Sequence, residues 1–204
     1  MSTYQKILLS LVVIVFVWSA INPHDYFTWF LEVAPAIIGF IFLAVTNKKF
    51  RFTNLTYTLI AIHAAILMVG GHSTYAEVPL FNWLRDIGVF ERNNYDKIGH
   101  LAQGFIPAIV AREILLRTSP LKPGKWLSFI IISIAGLITA LYEIIEWLVA
   151  IAVGSAGDAF LGTQGYIWDT QSDMALCLTG AVLALLLLTK LHNKQLQKSG
   201  FLSK

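Results

Sequence analysis

A single cysteine, Cys177, stands in a chain of 204 residues. That excludes an internal disulfide framework and a cysteine-rich metal site. Charge is scarce too: 13% of the residues are Asp, Glu, Lys or Arg, against 56% hydrophobic. A soluble domain carries about 25% charged residues, so this shortage excludes an ordinary soluble domain and places the chain among membrane proteins. Repeats and low-complexity tracts are lacking as well, and a single domain over residues 1–204 is the simplest organisation. The pI of 9.0 would point to nucleic acid only if the basic residues formed one patch. They sit in loops instead, and no nucleic-acid partner is implied.

Long apolar runs are what the chain has in abundance. Six can be counted, at approximately 6–22, 29–46, 54–72, 96–116, 126–153 and 172–190, each measured against the roughly 20 residues that cross a hydrocarbon core. They predict an all-α polytopic membrane bundle of about six transmembrane helices. The first run has no small-x-small cleavage site, because Trp18 spoils the candidate before Ala20, so it reads as an uncleaved span rather than a signal peptide. The fourth is interrupted by Asp96, His100, Gln103 and Glu113, groups that must face protein or water rather than lipid.

Orientation follows from Lys and Arg. Six spans put Lys6, Lys48, Lys49, Arg51, Arg112, Arg117, Lys122, Lys125, Lys190, Lys194, Lys198 and Lys204 on one side, leaving Arg85, Arg92 and Lys97 on the other. The positive-inside rule then makes both termini cytoplasmic. Two outer segments stand out. Residues 73–95 mix aromatics with charges, as an interfacial helix or re-entrant cap would. Residues 154–168 carry four glycines, which lets the backbone turn sharply or approach a ligand.

Of the 12 acids, all but Glu113 fall on the side opposite to most of the bases. Asp25, Glu32, Glu77, Asp86, Glu91 and Asp158 lie in or next to outer loops, where they need no explanation. Asp96, Glu143, Glu146, Asp169 and Asp173 lie in the outer halves of spans or at their mouths, where each needs a partner or a function. Asp96 and His100 are i,i+4, and Gln103 continues that face. Glu143 and Glu146 are i,i+3, and Asp169 and Asp173 are i,i+4. Three helices thus offer paired groups at similar depth. Two carboxylates one turn apart in low dielectric stay together only if one holds a proton or a cation neutralises them.

Plainer readings exist for several of these residues. Asp96 can complement a helix N-terminus after Asn93 and Asn94. Lys97 can snorkel or pair with an acid. His63 reads as a satisfied packing histidine, His72 beside Gly70 and Gly71 is open, and Glu113 beside Arg112 reads as a structural ion pair. Tyr142, Trp147, Tyr166 and Trp168 fit an aromatic interface belt. Glu143 and Glu146 resist such explanations, since no helix cap asks for them in the longest apolar run. One histidine with several carboxylates suits Mg, Mn or Ca, with Zn also admissible. In the cation reading Asp96, His100, Glu143, Asp169 and Asp173 are ligands, Glu146 is general base with Glu143 beside it, and Lys97, Gln103 and His72 face substrate. A chain of protonatable side chains without metal accounts for the same residues.

The segments YDKIGHLAQGFIPAIVARE, LYEIIEWL and WDTQSDMALCLTGA resemble the YjdF-type family of uncharacterised bacterial inner-membrane proteins, over nearly the whole chain. More distantly, Asp96, Lys97, His100, Glu143, Asp169, Asp173 and Gly180 follow an order similar to that of the VanZ-like membrane family, which is associated with teicoplanin resistance. Glu146 departs from that pattern, where glutamine is usual, and so does Cys177, where asparagine is usual. The resemblance implies a multi-pass protein of the bacterial inner membrane and importance for these polar positions. Three functional classes follow: a cation-dependent enzyme or binding protein for a lipid-linked or envelope substrate, its site opening to the outer side; a small proton-coupled transporter; and a structural or assembly protein. Oligomeric state is not legible.

Overall fold

The computed structural model describes residues 1–154, 160 and 164–202. Among them the chain forms seven helices: α1 (Thr3–Ser19), α2 (Tyr26–Thr46), α3 (Asn54–His72), α4 (Pro79–Asp86), α5 (Tyr95–Thr118), α6 (Lys125–Val153) and α7 (Asp169–Lys198). No strand occurs among the described residues. Asp158, most of the glycine-bearing segment 154–168 and Lys204 lie outside them. Helices α2, α3, α6 and α7 are long and apolar enough to cross a membrane, and α1 is a shorter apolar helix. Helix α5 has 24 residues but carries Asp96 in its first turn and buries Arg112 and Glu113 near its end.

Local chemistry sets the helix starts. Ser2 and Gln5 form a reciprocal capping box on α1, which satisfies two of the orphan N–H groups at that end. Asp25 caps α2, accepting from the Thr28 N–H at 2.6 Å, and that bond holds its carboxyl below the usual range. Thr53 caps α3. The segment between α3 and α5 is held by Asn93, fully buried, whose Nδ2 donates to Val78 O and Asn82 Oδ1 while its Oδ1 accepts from Tyr95 N. Within that segment the chain forms the short α4, which leaves Leu80 and Trp83 exposed.

Cross-links between elements fix the topology. Lys97 meets Asp173 near one end of α5 and α7, and Arg112 meets His192 near the other, so these two helices run parallel. Helix α3 runs antiparallel to them, with Thr56 at Glu113 and Ile66 at Tyr95. It runs parallel to α1, through Tyr4–Thr58 and Ser19–His72. The α5–α7 contact is backbone against backbone. A Cβ on Gly104 would overlap the Cys177 carbonyl, and one on Gly180 would overlap the Leu101 carbonyl. Ala102, Ala108, Ala181 and Ala184 extend this seam of small residues into the buried core with Ile106, Ile109 and Ile131. Small residues do this in bilayers because dispersion contacts, rather than water exclusion, hold helices together there.

Several boundaries differ from the apolar runs, two of them with consequences. Lys6 lies inside α1 rather than before it, and α7 continues to Lys198 rather than ending near 190. The extension is explained by burial: His192 and Leu196 are fully buried, while Lys190, Lys194 and Lys198 occupy other faces and disguise the helix as a tail.

At the end remote from Asp96, Glu113 is fully buried and ties three helices together. It accepts from Thr53 N (2.9 Å), Thr53 Oγ1 (2.9 Å), Thr56 Oγ1 (2.6 Å), Arg117 (2.8 Å) and His192 Nε2 (3.1 Å). Its ion-pair partner is therefore Arg117, not the expected Arg112: residues four apart share a helix face and adjacent ones do not. Arg112 instead donates to His192 Nδ1 and Asn193 Oδ1. The Arg117 guanidinium is clasped between the Phe50 and Phe201 rings, 3.6 and 3.8 Å from their centroids.

The glycine seam gives a sign test. In a helix interior Gly→Ala is favoured by about 1 kcal/mol on propensity alone, whereas forced overpacking costs about 1–3 kcal/mol or more. Gly104→Ala and Gly180→Ala are expected to lower the thermal unfolding midpoint by several degrees. Gly39→Ala, where an added Cβ meets nothing within 4 Å, is expected to leave it unchanged or raise it slightly. Unfolding of the detergent-solubilised variants followed by intrinsic fluorescence reads all three.

Candidate functional site

Because α5 and α7 are parallel, their N-terminal turns lie side by side and bring Asp96, Lys97, Asp169 and Asp173 to the same end of the bundle. Lys97 Nζ donates to Asp169 Oδ1 (2.8 Å), Asp173 Oδ1 (2.6 Å) and Ser172 Oγ (2.7 Å), and lies 3.9 Å from Asp96 Oδ2. Arg92 reaches the same Asp169 oxygen at 2.6 Å. Tyr166 packs beneath both cations, its ring centroid 4.8 Å from the Arg92 guanidinium and 5.6 Å from Lys97 Nζ. The two aspartates of α7 are thus neutralised by side chains of the chain itself.

One turn along α5, His100 is buried and aims one nitrogen at each of two groups. Nε2 lies 3.2 Å from Asp96 Oδ1 and 3.9 Å from Asp173 Oδ2, while Nδ1 lies 3.1 Å from Gln103 Oε1. Glu143 Oε1 is 4.0 Å from the same Nδ1 and makes no hydrogen bond. Ligand-capable atoms of Asp96, His100 and Asp173 all lie within 4.8 Å of one another.

Below this cluster lies a cavity of about 230 Å³ between α2, α3, α5 and α6. Tyr75 helps close it. The main chain takes a positive φ at Thr74 and Tyr75, 56° at each, and the Tyr75 ring enters a notch where a Cβ on Gly70 or Gly99 would strike it. Glu32, His63, Asp96, His100, Gln103, Tyr142 and Glu146 reach the same space. Tyr142 Oη donates to Glu32 Oε2 across 3.1 Å. His63 Nε2 is buried without a hydrogen-bond partner, and among the described residues Glu146 has none either, although it is only 9% exposed.

Of the residues singled out from sequence, Asp96, Lys97, His100, Gln103, Glu143, Glu146, Asp169 and Asp173 gather at this end of the bundle. His72 does not join them. Its Nδ1 donates to Ser19 O at 3.1 Å and its ring packs on Trp18 at 4.5 Å, so it serves the α1–α3 contact. Three residues were misjudged. Glu32, expected beside a loop, is 5% exposed, because α2 begins at Tyr26 and its second turn faces inward. Tyr142, assigned to an aromatic belt, turns toward Glu32. His63, read as satisfied, is not. Spacing gave no signal for these, since their partners sit on other helices: Glu32 and Tyr142 are 110 positions apart.

Comparison with known proteins agrees with a membrane setting. Residues 4–194 match the family described as "Predicted membrane protein (DUF2238)". The chain is 44% identical to "Inner membrane protein YjdF" of Escherichia coli (strain K12) over 190 residues, which cover 93% of this chain and 91% of the relative. No solved structure matches.

Breaking a buried ion pair by removing one partner costs about 3–5 kcal/mol, because the other charge is left behind. Lys97→Met is therefore expected to destabilise the protein by about 3 kcal/mol, and Asp173→Asn in the same chain to restore part of the loss. The coupling is read as the non-additive term of a double-mutant cycle on unfolding free energies.

Proposed function

The chain belongs to the DUF2238 family of predicted membrane proteins, and from that premise we propose an inner-membrane protein of six spans with cytoplasmic termini, whose outer-end site holds a divalent cation and acts on a lipid-linked or envelope substrate. One observation carries the cation: the convergence of Asp96, His100 and Asp173 within 4.8 Å. The 3.2 Å between His100 Nε2 and Asp96 Oδ1 suits neighbouring ligands on one ion whose metal–ligand distances are about 2.0–2.2 Å. The groups that hold these ligands support it as well. With Nδ1–H donating to Gln103 Oε1, the His100 Nε2 lone pair is left facing the two carboxylates, the usual way a ligating histidine is oriented. Lys97 holds Asp173 through Oδ1 and leaves Oδ2 toward His100.

The donor set, one imidazole and two carboxylates, suits Mg, Mn or Zn better than Ca, which prefers six to eight oxygens. Such an ion supplies Lewis acidity and acidifies water. Glu146, lining the cavity without a hydrogen-bond partner, is positioned to take a proton, and Glu143 lies beside His100 to pass one on. The seam described above closes one face of α5 to a transport path. Between the Asp96 end and the Glu113 end, α5 and α7 touch backbone to backbone and leave no polar route along that face.

The protein purified without chelator is expected to carry about one divalent ion per chain by elemental analysis, and His100→Ala and Asp173→Asn to lose it. Folded wild type free of metal, or metal retained by both variants, sinks the cation. For the topology, alkaline phosphatase fused after residue 202 should be inactive, and the same reporter inserted at 88 should be active. The reverse pattern turns the site to the cytoplasm.

A further inference from the structure

The cavity below His100 is bordered by two acidic side chains that the cation cluster does not use. Arg92 and Lys97 are engaged with Asp169 and Asp173, and His100 faces Asp96. Glu32 and Glu146 also reach the cavity, yet among the described residues no cationic side chain pairs with either. Glu32 receives only the neutral Tyr142 hydroxyl. Among the described residues Glu146, nine-tenths buried, accepts no hydrogen bond. A desolvated acidic side chain is costly unless a proton, a counter-charge or a donor reaches it, and a positive, hydrogen-bond-donating guest would meet that need at both groups at once.

The rest of the lining narrows the guest further. Pro35, Leu67, Pro107 and Ile138 give the cavity an apolar wall, which a hydrated metal ion would not favour. Among the described residues Glu32 and Glu146 also join no three-ligand group of the kind made by Asp96, His100 and Asp173. An ammonium needs acceptors and tolerates aromatic faces, and Tyr75 and Tyr142 both border the space. At about 230 Å³ the cavity is below the roughly 300–1,000 Å³ of pockets for drug-sized ligands. It takes a head group and a short length of chain, not a whole lipid.

We propose that this cavity binds an amphiphilic amine, its ammonium held between Glu32 and Glu146 and its apolar chain against Pro35, Leu67, Pro107 and Ile138. The ammonium displaces the Tyr142 hydroxyl from Glu32 or shares that carboxylate with it, and the unpartnered His63 Nε2 lies in the same wall. The inference names a ligand class for the space beside the proposed cation site and does not require the cation. Two sources share the chemistry: a free alkylamine dissolved in the bilayer, and a lipid head group ending in a primary amine.

Calorimetric titration of the full chain in detergent, with EDTA present and micelle-only blanks subtracted, tests it. Octylamine is expected to bind saturably, with octanol and octanoate showing no saturable heat. Glu146→Gln and Glu32→Gln are expected to weaken octylamine by about tenfold or more, the loss of a charge-assisted contact. Ile138→Phe, which fills the apolar wall and leaves both carboxylates in place, should weaken it too and keeps the test decisive if a glutamine variant does not fold. Lysophosphatidylethanolamine added to the same series assigns the source: competition with octylamine points to a lipid head group, and its absence to a free alkylamine. No saturable octylamine binding overturns the proposal. So does binding that all three variants leave within twofold of wild type, or equal binding of octanol. Because EDTA is present throughout, saturable amine binding by a protein that proves metal-free retains this inference and discards only the cation.

Discussion

The contact of α5 with α7 at Gly104 and Gly180 is the constraint on which the remainder depends. Two helices whose backbones touch cannot rotate or slide by a residue without collision, so their register is fixed at one value. That register sets Lys97 against Asp169 and Asp173 at one end and Arg112 against His192 at the other. Directional polar contacts placed at both ends of a seam that itself lacks direction give the pair a single alignment. The cavity exists because α2, α3 and α6 surround α5 on the faces that α7 leaves free.

Charge is distributed by a simple economy. Each buried acid near Asp96 either has a cation of the chain beside it or borders open space. Asp169 and Asp173 belong to the first kind, and Glu32 and Glu146 to the second. At the other end the Glu113 carboxylate is saturated by five donors, although the Arg117 Nε beside it is buried without a partner. A fully satisfied network rigidifies a fold, and a partly satisfied one marks where something else is meant to bind. The buried acids at the two ends of one bundle therefore differ in kind, Glu113 closed in by its donors and Glu32 and Glu146 left incomplete.

Much of this was legible in the sequence, for reasons that also explain the failures. Apolar run length located α3 to the residue, and the i,i+4 pairs Asp96/His100 and Asp169/Asp173 were readable because a helix places them on one face. Their alignment at a common end followed from counting spans. Glu32, Tyr142 and His63 escaped because their role depends on contacts between helices far apart in sequence, for which no local period exists. His192 escaped for a different reason: it lies among lysines that give the segment the look of a solvated tail, while its own face packs on Arg112. The partner of Glu113 was mistaken where sequence adjacency was taken for spatial adjacency.

The parallel pairing of α5 and α7 has a bearing on how the chain is made. Between them the ribosome must deliver all of α6 and the connection beyond it, so Asp96, Lys97 and His100 emerge well before the aspartates that neutralise or flank them. During that interval α5, the most polar of the long helices, lacks the contacts that α7 supplies. Biogenesis is thus vectorial, with the last helix acting as the closing piece. A chain truncated before Asp169 would leave Lys97 without the two α7 aspartates it pairs with.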